Sequence, residues 1–276
     1  MYAQKADVPA RKPVTVPLLR AMKAQGRRIV MLTAYDAAFA AQLELAGVDV
    51  ALVGDSLGNV VQGHASTLPV TLDHMVYHTA LVARGLSATL LVADMPFMAD
   101  RDVPHALQAG ARLVGEGGAA MVKIEGAAAH VLDAIAALAA RDIPVCAHLG
   151  LTPQSMHRMG GFRIQGREPQ AAERLLEQAK AVQAAGADLL VLEGIPAALA
   201  GRMTRSIAIP TIGIGAGPDC DGQVLVIYDV LGITPGKRPK FSKDFLQERG
   251  SVAAALAAYA ADVRSGAFPA PEHCFD

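Results

Sequence analysis

The chain has 276 residues, 52% of them hydrophobic, enough for one large core and close to the length of a single α/β barrel. A formal charge of −1 and an aromatic content of 4% without Trp argue against a nucleic-acid surface or an anionic membrane partner. No apolar run reaches the roughly 18 residues of a membrane-spanning helix, and Met1–Lys12 lacks the apolar core of a signal peptide. The expectation is a cytoplasmic protein with a flexible lead-in over 1–12. Cys146, Cys220 and Cys274 are too widely spaced for a disulfide framework or a metal-binding CxxC, and Cys146 reads as a small core residue.

In chain order, Thr15 caps a short helix with Pro17 in its first turn and Gly26 at its end. Strands are expected at Ile29–Tyr35, Val48–Val53, Thr89–Ala93, Ala120–Glu125, Pro144–Leu149, Leu189–Glu193 and Thr211–Ile214, from β-branched apolar runs. Helices are expected between them at Ala37–Ala46, Leu72–Arg84, Val103–Glu116, Ala127–Ala140, Pro169–Ala185 and Pro196–Ser206, several rich in Ala. Val224–Ile227 is the candidate eighth strand, and Ser242–Ser265 reads as a closing helix capped by Ser242.

Strand and helix alternate, and small-residue phrases such as Ala46-Gly47-Val48-Asp49 and Ala185-Gly186-Ala187-Asp188 recur just before strands. This is the pattern of repeated βα units on a parallel sheet. No linker divides the chain, so the expected architecture is one (β/α)8 TIM-barrel domain over 1–276, with an N-terminal and a C-terminal helix. A doubly wound open sheet is the alternative. Two connections are long, Leu57–Thr71 and Thr152–Arg167. The second carries Gly160-Gly161 with His157, Arg158, Arg163 and Arg167, which suits a mobile lid or an oligomer contact.

The chemistry gathers at the strand ends, where such barrels place their catalytic groups. Asp55 and Asp94 close the second and third strands, and Glu125 closes the fourth. Carboxylates without Cys or His partners make a hard oxygen site suited to Mg²⁺; helix capping is the competing role for either Asp. Lys123 shares a strand face with Glu125. It can hold a substrate carboxylate, form a Schiff base, or serve as a salt bridge. Ser56 adds a hydroxyl and a backbone N–H. Glu193 ends the sixth strand across the pocket, placed to take a proton rather than bind metal. His148 is expected to support the site by hydrogen bonding. Gly213-Ile214-Gly215-Ala216-Gly217 lacks the spacing of a dinucleotide loop and reads as a tight turn beside a ligand.

Seven phrases then fall into one pattern. Thr33-Ala34-Tyr35-Asp36, Val53-Gly54-Asp55-Ser56-Leu57-Gly58, Ala93-Asp94-Met95-Pro96-Phe97 and Val122-Lys123-Ile124-Glu125-Gly126 resemble the ketopantoate hydroxymethyltransferase family. So do His148-Leu149-Gly150-Leu151-Thr152-Pro153-Gln154, Gly213 to Gly217, and Asp221-Gly222-Gln223-Val224-Leu225-Val226, from about Thr15 to about Phe245. The resemblance implies a barrel of the phosphoenolpyruvate/pyruvate type that uses Mg²⁺ and 5,10-methylenetetrahydrofolate. Its reaction hydroxymethylates 3-methyl-2-oxobutanoate through a magnesium-stabilised enolate, giving 2-dehydropantoate for pantothenate biosynthesis. By the same resemblance Asp55 and Asp94 hold metal and substrate, and Glu125 supports the metal directly or through water. Ser56 and Lys123 bind the oxoacid, Glu193 is the base, and the chain forms a homo-oligomer, a decamer in that family. A Schiff base on Lys123 is then disfavoured. Rival readings are a magnesium-dependent oxoacid lyase or aldolase of the same barrel class, and a non-catalytic binding barrel.

Overall fold

The computed structural model describes residues 11–155, 161, 163–234, 236 and 238–276. Eight parallel strands run β1 (Ile29–Thr33), β2 (Val50–Val53), β3 (Leu90–Asp94), β4 (Met121–Glu125), β5 (Val145–Gly150), β6 (Leu189–Glu193), β7 (Thr211–Ile214) and β8 (Gly222–Leu225). They close in sequence order, with β1 paired to β8, so the open-sheet alternative falls. The wall is buried on both faces, as an all-parallel sheet requires. Glu125, Gly150 and Glu193, the last residues of β4, β5 and β6, are the only strand positions that are not fully buried. The C-terminal rim is therefore where the barrel meets solvent.

Around it lie α2 (Ala37–Leu45), α4 (Leu72–Gly85), α5 (Val103–Gly115), α6 (Ala129–Ala139), α7 (Pro169–Ala185) and α8 (Ala197–Ser206), each within one or two residues of expectation. A one-turn α3 (Leu57–Val60) opens the long connection after β2, and a one-turn α9 (Ile227–Val230) follows β8. Helix α1 (Val16–Ala24) is capped by the Thr15 hydroxyl, which accepts from the Leu18 N–H. It closes the N-terminal end by burying Leu19 and Met22. From its last turn Lys23 donates to the Thr204 and Ile209 carbonyls and pairs with Asp221 at 2.9 Å.

The recurring Asp before a strand has a structural job. The Asp49 carboxylate accepts the Val30 N–H, Asp188 accepts that of Val145, and Asp221 that of Thr211. Each ties one stave to its neighbour at the N-terminal end. Glu44 on α2 does more: its carboxylate accepts the backbone N–H groups of Ser87, Ala88 and Thr89, and an ion pair from Arg11. Arg11 also donates to Thr89 and to the Val48 carbonyl, so the chain is fastened there although flexibility was expected through Lys12. Residues 1–10 lie outside the described residues.

Two expectations need correction. The eighth strand is Gly222–Leu225, not Val224–Ile227, because its first residue must be small: a Cβ at Gly222 would collide with the Ile29 carbonyl. Val226 instead caps α9, whose first N–H is bound by the Thr33 hydroxyl at 2.9 Å. The tail is two helices, α10 (Phe245–Arg249) and α11 (Val252–Ser265), capped by Asp244 and Ser251. Gly250, at φ 73°, turns the chain between them, and the Ser242 hydroxyl is spent on the Pro239 carbonyl. The buried Tyr259 hydroxyl of α11 donates to the Met31 and Gln223 carbonyls, clamping the β1–β8 seam. No described helix is long and apolar enough to cross a membrane. The proposed lid or contact segment Thr152–Arg167 lies partly outside the described residues, at 156–160 and 162.

Burial alone favours a protonated Glu44, but its N–H donors outweigh this and lower its pKa from 4.5 to about 2. The stability it adds is complete above pH 4.5 and is lost as pH falls towards 2. Replacing Glu44→Ala strands three backbone donors, two of them buried, and should cost about 2–4 kcal/mol at neutral pH in urea denaturation. The variant should also lose less stability than the parent between pH 4.5 and 2; parallel losses would remove Glu44 from this role.

Candidate active site

Strand register assembles the site. Asp94 lies opposite Lys123, Glu125 opposite His148, and Gly150 opposite Glu193. The Lys123 ammonium donates to Asp94 Oδ1 and stands 3.7 Å from Glu125 Oε1. Asp94 Oδ2 accepts the Asp55 backbone N–H at 3.1 Å. The His148 ring lies between two carboxylates, Nδ1 at 3.3 Å from Glu125 and Nε2 at 3.2 Å from Glu193. Both contacts lie off the line that a hydrogen bond needs. Asp55 and Asp94 are not helix caps: Ser56 occupies the cap position of α3 and Asp102 caps α5.

Two further residues hold the acidic groups. Gln154, in a short turn after β5, donates its side-chain amide to Asp55 Oδ2 and to the Met95 carbonyl, both at 3.0 Å. Its backbone N–H donates to Glu125 Oε2 at 3.2 Å. The Tyr35 hydroxyl lies 2.9 Å from Ser56 Oγ. The chain can bend Ser56 inward because Gly54 has no side chain; a Cβ there would strike Ser56 Oγ.

These groups are short of positive charge. Burial, then the neighbouring Asp94 and Glu125 charges, push Asp55 up to about 7, against Lys123 and Gln154. Burial opposes the charge on Lys123, yet Asp94, Glu125 and Asp55 outweigh it and raise its pKa. Glu125 is lowered in spite of burial, by His148 and Lys123. Burial and Lys123 work against a charged His148, but Glu125 and Glu193 lift it to about 9.

A cavity of about 340 Å³ opens over this end. Strands β2 to β6 and their extensions give it Asp55, Ser56, Asp94, Lys123, His148 and Glu193. The opposite wall is mostly apolar, with Ile214, Val224, Leu225, Val226 and Phe241, and includes Asp229 and Thr234. Glu125 borders a neighbouring hollow instead, with Asp100, His130 and Gln154. Six of the seven expected site residues therefore share one cavity and Glu125 stands behind it. Sequence reasoning missed Gln154, Tyr35 and Asp229. Gln154 and Tyr35 did lie inside the quoted phrases. Gly215 and Gly217, at φ 58° and 75°, form a tight turn beyond β7 at the edge of this cavity.

Among the described residues no three His, Cys, Asp or Glu side chains are already grouped as a metal cage. A magnesium ion does not need one, since it keeps several waters and binds through one or two carboxylates. Asp55 and Asp94 would supply that donor set, and the Asp94 and Glu125 charges that add to burial in lifting Asp55 to about 7 are what a cation would offset. The residues present fit the ion.

A family model for ketopantoate hydroxymethyltransferase matches residues 13–271. The chain belongs to that family. It is 58% identical over 265 residues to a 3-methyl-2-oxobutanoate hydroxymethyltransferase of Xanthomonas euvesicatoria, covering 96% of this chain and 97% of the relative. With the enzyme of that name from Alkalilimnicola ehrlichii it shares 55%, covering 96% and 95%. The fold is also that of a phosphonopyruvate hydrolase solved with oxalate and Mg²⁺, at TM-score 0.60 and 15% identity over 94% of this chain and 92% of that one. A 2,3-dimethylmalate lyase of the PEP mutase/isocitrate lyase superfamily matches at TM-score 0.53 and 20% identity, over 71% and 70%.

Lys123 carries the buried charge balance, which makes it testable. Lys123→Met keeps the volume but leaves Asp94 and Glu125 uncompensated, at an expected cost of about 3–5 kcal/mol in urea unfolding at pH 7. The cost should shrink as pH falls and the carboxylates protonate. A variant as stable as the parent at pH 7 would show that the pair does not hold the rim.

Proposed function

We propose that this chain transfers a hydroxymethyl group from 5,10-methylenetetrahydrofolate to 3-methyl-2-oxobutanoate, forming 2-dehydropantoate in pantothenate biosynthesis. The observation that carries the reading is one cavity, in a chain of this family, that joins two adjacent carboxylates, a buried ammonium and a separate carboxylate. The proposal places the reaction in the cytoplasm, in a homo-oligomer.

Asp55 and Asp94 hold Mg²⁺, which when bound supplies a Lewis acid for the oxoacid's keto and carboxylate oxygens. Glu125 contacts Lys123, His148 and the Gln154 backbone, and would support the metal side directly or through water. Lys123 has three donors, of which one is directed at Asp94. Another reaches the substrate carboxylate, with the Ser56 hydroxyl and N–H beside it. The raised pKa keeps Lys123 charged, which removes the free amine a Schiff base would need.

Glu193 takes the proton from the substrate's tertiary carbon. It is the most exposed carboxylate of the set, at 14% against 3% for Asp94 and 6% for Glu125, and so it reaches furthest into the cavity. His148 steadies its other side. The carbon freed of its proton bonds to the folate's one-carbon unit, water supplies the hydroxyl, and tetrahydrofolate leaves.

Deuterium exchange at the tertiary carbon, followed by NMR in D₂O, isolates the first step. Glu193→Gln should retain oxoacid binding and lose exchange by about 10²-fold or more; exchange at the parent rate would remove Glu193 as base. For Asp94→Asn the magnesium dependence of that exchange should weaken sharply, and an unchanged titration would sink the metal assignment. Turnover that releases pyruvate without any folate would instead favour an oxoacid lyase.

A further inference from the structure

The cavity is larger than the oxoacid needs. An eight-heavy-atom acid, even at the ~30 Å³ that each water takes in the liquid, fills no more than about 240 Å³. The cavity offers about 340 Å³. The wall that does not carry the charged strand ends is mostly apolar, with Val224, Val226 and Phe241. In this apolar wall sits one carboxylate, Asp229, only 6% exposed. It belongs to α9, just after β8, and it lines the same cavity.

Only part of its bonding capacity is used. Asp229 Oδ1 accepts the Thr234 hydroxyl at 2.8 Å. Among the described residues no hydrogen bond reaches Oδ2, and a carboxylate has about four acceptor sites. The nearby Arg238 is committed elsewhere, donating to Asp244 Oδ2 at 2.9 Å. Burial raises the Asp229 pKa, against Thr234 and Arg238. A largely buried carboxylate that keeps one oxygen open on a mostly apolar cavity wall has acceptor capacity to offer a ligand's donors.

The donor it fits is specific. A pterin is a flat bicycle with apolar faces whose amino-pyrimidinone edge presents an N–H and an NH₂ side by side. That pair matches the two oxygens of one carboxylate, as a guanidinium does. We propose that Asp229 recognises the amino-pyrimidinone edge of the folate co-substrate, with Val226 and Phe241 against the ring faces. The assignment rests on the hydroxymethyl transfer reading above. It also orients the ligand: the one-carbon unit sits on the far side of the bicycle from that edge, and so it points towards Glu193 and the metal side. Tyr35 marks how near the two ends lie, since its hydroxyl feels the charges of both Asp229 and Asp55.

The test uses calorimetric titration of the full chain with tetrahydrofolate and with its 2-desamino-2-methyl analogue. The parent should prefer tetrahydrofolate by on the order of 30-fold, the worth of a charge-assisted hydrogen bond. Asp229→Asn keeps an acceptor for Thr234 but offers an NH₂ to the ligand's donors. It should weaken tetrahydrofolate by a similar factor while leaving the analogue nearly unchanged, so that the preference collapses. A defect in folding would weaken both ligands together, and that result overturns the assignment. So does a parent that binds the two pterins equally. A parent that exchanges the oxoacid proton yet binds neither pterin overturns the folate reading itself, and Asp229's role with it.

Discussion

One buried ammonium holds the working end of this barrel together. Lys123 is 5% exposed and is bonded to Asp94, with Glu125 3.7 Å away. Register alone would bring Asp55, Asp94, Glu125 and Glu193 to one rim, and four carboxylates in a dry site repel one another strongly. Lys123 sets a positive charge against Asp94 and Glu125. The balance it leaves is still negative, and that deficit is the chemical character of the site. A cation is welcome there, and an oxoacid's anionic end still has an ammonium to meet.

The two ends of the barrel use the same residue types for opposite purposes. At the N-terminal end Asp49, Asp188, Asp221 and Glu44 each meet backbone N–H groups that fix their place. Such carboxylates act as ties between staves, and Glu44, with three N–H donors, is lowered to about 2. At the C-terminal end Asp55 has one side-chain amide, and its pKa rises to about 7. Donor supply decides which carboxylates are structural and which stay open to a ligand. The same criterion singles out Asp229, buried with one hydroxyl for a partner.

Much of this was legible in the sequence because parallel strands announce themselves as apolar runs, and these runs end in chemistry. Asp55, Asp94, Lys123, Glu125 and Glu193 were found that way, and the alternation pointed to a barrel with an open sheet as competitor, which the β1–β8 pairing removes. What escaped notice had a physical reason in each case. Gly222 reads locally as a strand breaker, yet close approach to the Ile29 carbonyl makes it the required first residue of β8. The tail looked continuous because Gly250 is one residue in an Ala-rich stretch, and Ser251 restarts the helix beside it. Gln154 and Asp229 follow the strands rather than ending them, and only the folded connections carry Asp229 to the cavity and Gln154 to Asp55 and Glu125.

The placement of His148 shows why the site divides its carboxylates as it does. Its ring spans Glu125 and Glu193, with contacts of 3.3 and 3.2 Å, and the two charges lift it to about 9. A cationic ring there links a carboxylate behind the cavity to the one that faces it. Glu125 is held by Lys123, His148 and the Gln154 N–H together, so it has little freedom to take a proton. A base must keep a free lone pair directed at carbon, and Glu193 has His148 on one side and the cavity on the other. In the proposed reaction, the division between metal-binding acids and a proton acceptor follows from what lies behind each carboxylate, not from the residue type.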